Sequence, residues 1–216
     1  LPTKSFSEEV WLNLTSPLKH QLKSPAVVDF NDSSLIESVN ALRWDGFGWW
    51  STNVDGSGVA RVAEYFGIDV ASGATIGIVG GGGAARSTAR TWQKLGGKVL
   101  NLGGKRDLVN YDWYESTSKD EKVCDVMINF DDNTIPRGIK VSGFVMDARY
   151  QSIEGEHEDR IAAIKKEVID GRWLLSAQHL ECWRQLWAPH VADLLPSLDL
   201  LVSMLVTAES VLASYS

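Results

Sequence analysis

The sequence is poor in cysteine and proline and has no long apolar run. Its two cysteines, Cys124 and Cys182, have no histidine at ligand spacing beside them, which argues against a disulfide scaffold and against a thiolate metal site. The four histidines (His20, His157, His179 and His190) form no paired-ligand motif, so no metal is expected. Six prolines in 216 residues exclude a collagen-like or proline-rich fibre. The most apolar tail segment, Leu194 to Val206, is broken by Pro196 and Asp199 and is too short to span a bilayer. Leu1 to Glu9 lacks the basic start and apolar centre of a signal peptide, so a reducing, cytoplasmic setting is expected, with both thiols buried. Basic charge is the scarcer sign. Lys and Arg number 21 against 28 Asp and Glu, a formal net of −7, which argues against nucleic acid or an anionic membrane as partner.

What the chain does have is apolar residues throughout, at 44%, with nineteen glycines and nine tryptophans. Strand and helix signals alternate, which predicts an α/β fold of one large or two small domains. Thr75 to Val79 reads as a buried strand, Ala84 to Leu95 as a helix stopped by Gly96-Gly97, and Lys98 to Leu102 as the next strand. Cys124 to Phe130 and Val141 to Asp147 read as two more strands. Val59, Val62, Ala63 and Phe66 mark a helix ended by Gly67. Ile161, Ile164, Val168 and Ile169 mark another, followed by helices near Ser176 to Trp187 and Ser197 to Ala213. The acidic cluster Glu154, Glu156, Glu158 and Asp159 suits a solvated helix N-terminus. Trp44, Trp49 and Trp50 fit core packing of two hairpin strands, and Trp183 and Trp187 fit a helix packed on a small domain.

Between the first strand of this block and its helix lies Gly80-Gly81-Gly82-Gly83-Ala84-Ala85, which fits G-x-G-x-x-A. Glycines let the backbone turn tightly and approach a pyrophosphate, while the helix N-terminus offers free N–H groups and a positive dipole end. A dinucleotide reader for NAD carries a carboxylate about 20 residues further on. Here the stretch is Asn101-Leu102-Gly103-Gly104-Lys105-Arg106, with no acid before Asp107. Lys105 and Arg106 suit a 2′-phosphate, so NADP is the expected cofactor; the same pair also fits a solvated turn.

Three clusters precede the loop: Asn13-Leu14-Thr15-Ser16-Pro17-Leu18-Lys19, Val39-Asn40-Ala41-Leu42 and Asn53-Val54-Asp55-Gly56-Ser57-Gly58. With Gly80 to Arg86 they resemble, in order and spacing, the shikimate dehydrogenase family, whose pattern runs N-V-T-x-P-x-K, A-V-N-T, N-T-D-G-x-G and G-A-G-G-A-x-R. Asp147-Ala148-Arg149-Tyr150 is similar to its D-x-x-Y, and Asp170 to Gln178 to its G-x-x-M-L-v-x-Q-A. The resemblance implies a Rossmann-type NADP domain plus a smaller α/β substrate domain built from the N-terminal segment and C-terminal helices. On that division residues 1–56 and 172–216 belong with the substrate and 57–171 with the dinucleotide.

It also implies NADP-dependent reduction of 3-dehydroshikimate to shikimate, in aromatic amino acid biosynthesis, by a monomer or homodimer. Lys19 and Asp55 would be the catalytic pair, with Thr15, Asn40, Tyr150 and Gln178 holding the substrate. Gly80, Gly81, Gly82, Gly83, Ala84, Ala85 and Arg86 would hold the cofactor, with Lys105 and Arg106. A lysine ammonium can hydrogen-bond a ketone oxygen and supply a proton, while a carboxylate beside it orients it and balances its charge. Taken alone, Asp55 also fits a helix N-cap or a D-G turn.

Several positions depart from the family pattern. Val54 and Ala41 stand where threonine is usual, and Gly103-Gly104 replaces the N-R of the family's cofactor-reading turn. The S-x-S pair that grips a carboxylate is not supplied by Ser5-Phe6-Ser7, so the N-terminal strand and helix of the family are expected to be missing and substrate binding to be weak. These departures keep open a quinate-type substrate with NAD, or a non-catalytic nucleotide-binding relative.

Overall fold

The computed structural model describes residues 8–21, 26–106, 108, 111–115, 122–131 and 136–213; Ser5-Phe6-Ser7 and Asp107 lie outside them. A first sheet is built from β1 (Val10–Asn13), β2 (Val27–Asp29), β3 (Ala41–Trp44) and β4 (Trp49–Thr52), in the order β1-β3-β4-β2. β3 runs antiparallel to β1 and β4, and β2 parallel to β4. The hairpin between β3 and β4 is set by Asp45, whose carboxylate accepts from the N–H groups of Phe47 and Gly48 and from Trp50 Nε1. Trp44 and Trp49 face each other across it with rings 5.6 Å apart.

Asn53 and Val54 carry the chain from β4 into α1 (Asp55–Tyr65), which leads to a second, parallel sheet. That sheet comprises β5 (Thr75–Val79), β6 (Lys98–Asn101), β7 (Val123–Asn129), β8 (Lys140–Asp147) and β9 (Val168–Ile169), in the order β6-β5-β7-β8-β9. β5 is buried along its whole length, as a central strand covered on both faces must be. The switch in strand order between β6 and β7 lies at β5, so the crevice beyond its carboxyl end is where such sheets take ligands.

α2 (Gly83–Lys94) follows β5 and lays Ala85, Ala89 and Trp92 onto the sheet beside Val59 and Val62 of α1. α4 (Gly171–Cys182) adds Trp173, Leu174, Ala177 and Leu180 to the same core. Each such large apolar side chain contributes roughly 1.5–3 kcal/mol when fully buried.

The helix expected through Ile161 and Val168 is corrected. α3 (His157–Ala163) ends early, and Val168-Ile169 pairs with Val145 and Met146 as β9. Two adjacent β-branched residues gain more as a short edge strand, where Ile169 is buried, than on a helix. Beyond α4 the helix widens into a π turn, Trp183–Trp187, which packs Leu186 and Trp187 against Ala41 and Val54. α5 (Leu198–Ala213) instead buries Leu198, Val202 and Val206 in the larger core, beside α3 and α4.

Candidate active site

Asp55 is the first residue of α1 and is fully buried. A carboxylate there is favoured by the helix N-terminus and needs partners to offset its lost hydration. It has three. Lys19 Nζ donates to Oδ2 at 2.8 Å and to Oδ1 at 3.1 Å. Asn40 Nδ2 and Gln178 Nε2 each donate to Oδ1 at 2.8 Å. The four residues come from a turn after β1, the approach to β3, the start of α1 and the middle of α4.

Each partner is itself fixed. Lys19 lies in the 3-10 turn Leu18–His20, opened by hydrogen bonds from the N–H groups of Leu18 and Lys19 to the Thr15 carbonyl. Asn40 Oδ1 accepts from the Val54 N–H at 2.9 Å, so one side chain both caps the approach to α1 and grips its carboxylate. Asn53 Oδ1 accepts from the Asp55 N–H, and Asn53 Nδ2 donates to Ser38 Oγ and the Ser38 carbonyl. The asparagines therefore hold the loop that aims Asp55.

The glycines of Asp55-Gly56-Ser57-Gly58 act through packing. A Cβ on Gly56 would overlap the Ser87 carbonyl on α2, and one on Gly58 would stand 2.8 Å from Gln178 Cγ on α4. Their bareness lets both helices close on the start of α1, which brings Gln178 to the carboxylate. Sequence spacing alone did not reveal this role.

The hydrogen-bond count leaves capacity for a ligand. An ammonium has three donors, and two are spent on Asp55. Asn40 and Gln178 each have a second amide N–H beyond the one given to Asp55. Lys19 is the most open of the pair, with 18% of its side chain exposed against none for Asp55. Cys182, one turn beyond Gln178, has its thiol pushed up to about 12 by burial, with the charges of Asp55 and Glu181 adding to the effect. It is a packing residue, not a nucleophile.

The glycine loop lies next to this cluster. Gly80 has φ +115, a left-handed conformation that glycine adopts without strain, and Gly82 precedes α2 with no side-chain cap on the helix's first N–H groups. Ala84 and Ala85 continue the first turn of α2, with Ala85 buried on the sheet. Arg106 Nη1 lies 3.9 Å from where a Cβ on Gly82 would stand, over the loop itself. The exposed Lys105 donates its backbone N–H to Asp131. Asn101, where an NAD site has its acid, accepts from the Gly103 N–H and closes the turn. Arg86 is only 7% exposed; it donates to Tyr111 Oη, to His20 Nδ1 and to the Glu37 carbonyl. Among the described residues it has no carboxylate partner. A buried guanidinium without its counter-charge, beside uncapped helix N–H groups, fits a phosphate-bearing ligand.

Not every expected residue joins the cluster. Tyr150 is 56% exposed and its ring lies under the Arg172 guanidinium, 5.6 Å from centroid to Cζ, rather than on Asp55. Thr15 is exposed and contributes its carbonyl to the turn. Two residues went unread in the sequence: His20, wedged against Arg86, and Asp131, whose carboxylate lies 3.3 Å from where a Cβ on Gly80 would stand. Neither belongs to a recognisable local motif. A cavity of about 640 Å³ lies on the outer face of α1, lined by Ser57, Arg61, Glu181 and Arg184; none of Lys19, Asn40, Asp55 or Gln178 borders it.

No family model matches the chain. Among curated proteins, the shikimate dehydrogenase (NADP(+)) of Methylibium petroleiphilum is 36% identical over 94 residues, 43% of this chain and 32% of that protein. The match thus spans about a third of the relative's length. Among solved structures, the shikimate dehydrogenase of Aquifex aeolicus superposes with a TM-score of 0.62 at 22% identity, over 83% of this chain and 72% of that one. The Thermus thermophilus shikimate 5-dehydrogenase, solved with NADP(H) and shikimate, gives a TM-score of 0.66 at 20% identity, over 92% and 78%. The paired-sheet architecture, with its Rossmann-type half, is therefore the fold of the shikimate dehydrogenases, and part of the sequence is visibly related to one of them.

Proposed function

We propose that the protein is an NADP-dependent oxidoreductase that interconverts 3-dehydroshikimate and shikimate. The observation that carries this reading is the convergence of Lys19, Asn40 and Gln178 on the buried carboxylate of Asp55, next to a glycine loop flanked by two guanidiniums. The division of labour we propose keeps residues 1–56 and, through Gln178 of α4, the 172–216 segment for substrate and 57–171 for dinucleotide, although α5 packs on the larger core. The relatives' bound ligands and names support the same choice of substrate and cofactor.

Gly80 to Arg86, with Arg106 and Lys105, would hold the cofactor, which supplies or accepts a hydride at the substrate carbon when bound. Everything else falls to the chain. Lys19 uses its remaining N–H to bind the carbonyl oxygen and gives it a proton as the carbon is reduced; in the reverse direction it takes that proton back. Asp55 fixes the ammonium from two sides, so the proton is held at one place before the substrate arrives. Asn40 and Gln178 offer their second amide N–H groups to substrate hydroxyls, and Tyr150 and Thr15 would reach the substrate only from the rim. Asn101 in place of an acid, with Lys105 and Arg106 following, favours a 2′-phosphate and so NADP over NAD.

The test is Lys19→Ala. Replacing the proton donor should lower kcat by at least about 10³-fold while NADPH binding stays within about twofold of wild type. Undiminished turnover in this variant would sink the assignment.

A further inference from the structure

His20 follows Lys19 directly, and the proposed reaction does not use it. The two residues share one 3-10 turn but serve opposite sides. Lys19 lies on Asp55, whereas His20 turns to the glycine loop. Its Nδ1 is 3.0 Å from Arg86 Nη2, its Nε2 is 3.5 Å from Arg106 Nη1, and its Cε1 is 3.0 Å from where a Cβ on Gly83 would stand. Ser38 Oγ fills the rest of the space above Gly83. The substrate-side turn therefore rests on the first residue of α2, and only a glycine leaves room for it.

The imidazole lies between two guanidiniums and a backbone carbonyl. Arg86 Nη2 donates to both His20 Nδ1 and the Glu37 carbonyl, at 3.0 and 3.2 Å. His20 Nδ1 also lies 3.1 Å from the Glu37 carbonyl, so the ring has two arrangements: with Nδ1 accepting from Arg86 its Nε2–H faces Arg106 Nη1, and with Nδ1–H on Glu37 its Nε2 accepts from Arg106. A protonated ring accepts from neither guanidinium. Among the described residues, neither Arg86 nor Arg106 has a carboxylate partner. In the first arrangement Arg106 Nη1 and the Nε2–H of His20 are two donors turned to one place at the mouth of the glycine loop, and a phosphate oxygen is an acceptor that suits both.

We propose that His20 is a positioning residue that couples dinucleotide binding to the catalytic turn, an inference that rests on the dinucleotide reading above. A phosphate at the loop takes the donors of Arg106 and the Nε2–H of His20, while Nδ1 stays on Arg86. The Leu18–His20 turn is then held from both ends, with Lys19 locked against Asp55. Cofactor and substrate each bind better when the other is present, by the same factor in both directions.

NADPH and shikimate are both reduced and cannot react with each other, so their joint binding can be read at equilibrium. Titration of NADPH fluorescence with and without saturating shikimate gives the coupling factor as a ratio of two Kd values. Wild type should show about tenfold tighter NADPH binding with shikimate present. His20→Ala should bring that ratio close to one while each ligand still binds alone. His20→Asn, which returns an acceptor near the Nδ1 position, should recover part of it. A merely structural role would weaken both Kd values and leave their ratio intact. An unchanged ratio in His20→Ala, or none in wild type, overturns the coupling. NADPH failing to bind wild type at all overturns the dinucleotide reading first and the coupling with it.

Discussion

Lys19 and Arg86 are both cations held where the two sheets meet, and the fold treats them in opposite ways. Lys19 keeps 18% of its side chain exposed and lies on a fully buried carboxylate that also receives two amide donors. Arg86 is more deeply buried and meets a phenol, an imidazole and a carbonyl, with no carboxylate among them. The first site is charge-balanced from within and needs no ligand to stay in place. The second holds two guanidiniums that have no carboxylate partner among the described residues, a charge that an external anion can balance. One site is thus built to hold a proton in position, the other to recruit a phosphate.

The comparison breaks most severely at Asp55. Asp55→Asn presents an amide to Lys19, Asn40 and Gln178, all donors, and leaves a partly buried ammonium without its counter-charge. Turnover should fall at least about 10²-fold. Stability should fall by about 3 kcal/mol in urea unfolding, as expected when one partner of a buried ion pair is removed. A variant as stable and active as wild type would mean that the carboxylate is incidental.

Next in size is the packing that assembles the balanced site. Gly56→Ala drives a methyl group into the Ser87 carbonyl, so α1 and α2 must separate, at a cost of about 3 kcal/mol. Gly48→Ala meets nothing within 4 Å and serves as the control, with a change under about 0.5 kcal/mol. Equal effects from the two would remove the packing explanation of the Asp-Gly-Ser-Gly motif.

Arg86→Gln sharpens the other half. With no carboxylate left unpaired by the change, the unfolding midpoint should hold while NADPH affinity drops about tenfold, the loss of a positive charge beside the loop. An opposite pattern, lost stability with unchanged affinity, would make Arg86 a structural strut.

The smallest effect is a titration. Burial raises the Cys182 thiol to about 12 in the folded chain from its ordinary 9.0, so the thiol releases its proton more readily once unfolded. Stability from this group is complete below pH 9 and declines as pH rises towards about 12. Cys182→Ser should flatten that part of the stability–pH curve, measured by urea unfolding between these limits.

The sequence made the balanced site largely readable, because Lys19, Asn40, Asp55 and Gln178 each sit inside a local motif. The electropositive site was only half readable. The Gly80–Gly83 run and Arg86 stand in one motif, but the link from His20 to Arg86 crosses 66 residues and depends on how a turn of one sheet docks on a helix of the other. The two glycines after Asp55 likewise owe their role to helices distant in sequence. Val168 and Ile169 misled for a simpler reason: their spacing from Ile161 and Ile164 fits a helical stripe, and only the open edge of β8 reveals a strand partner.

The most direct test of the proposed reaction is to add shikimate to wild-type protein with NADP and follow NADPH by its absorbance. An oxidoreductase built as described forms one NADPH for each shikimate oxidised. Binding of both ligands with no NADPH formed would contradict it.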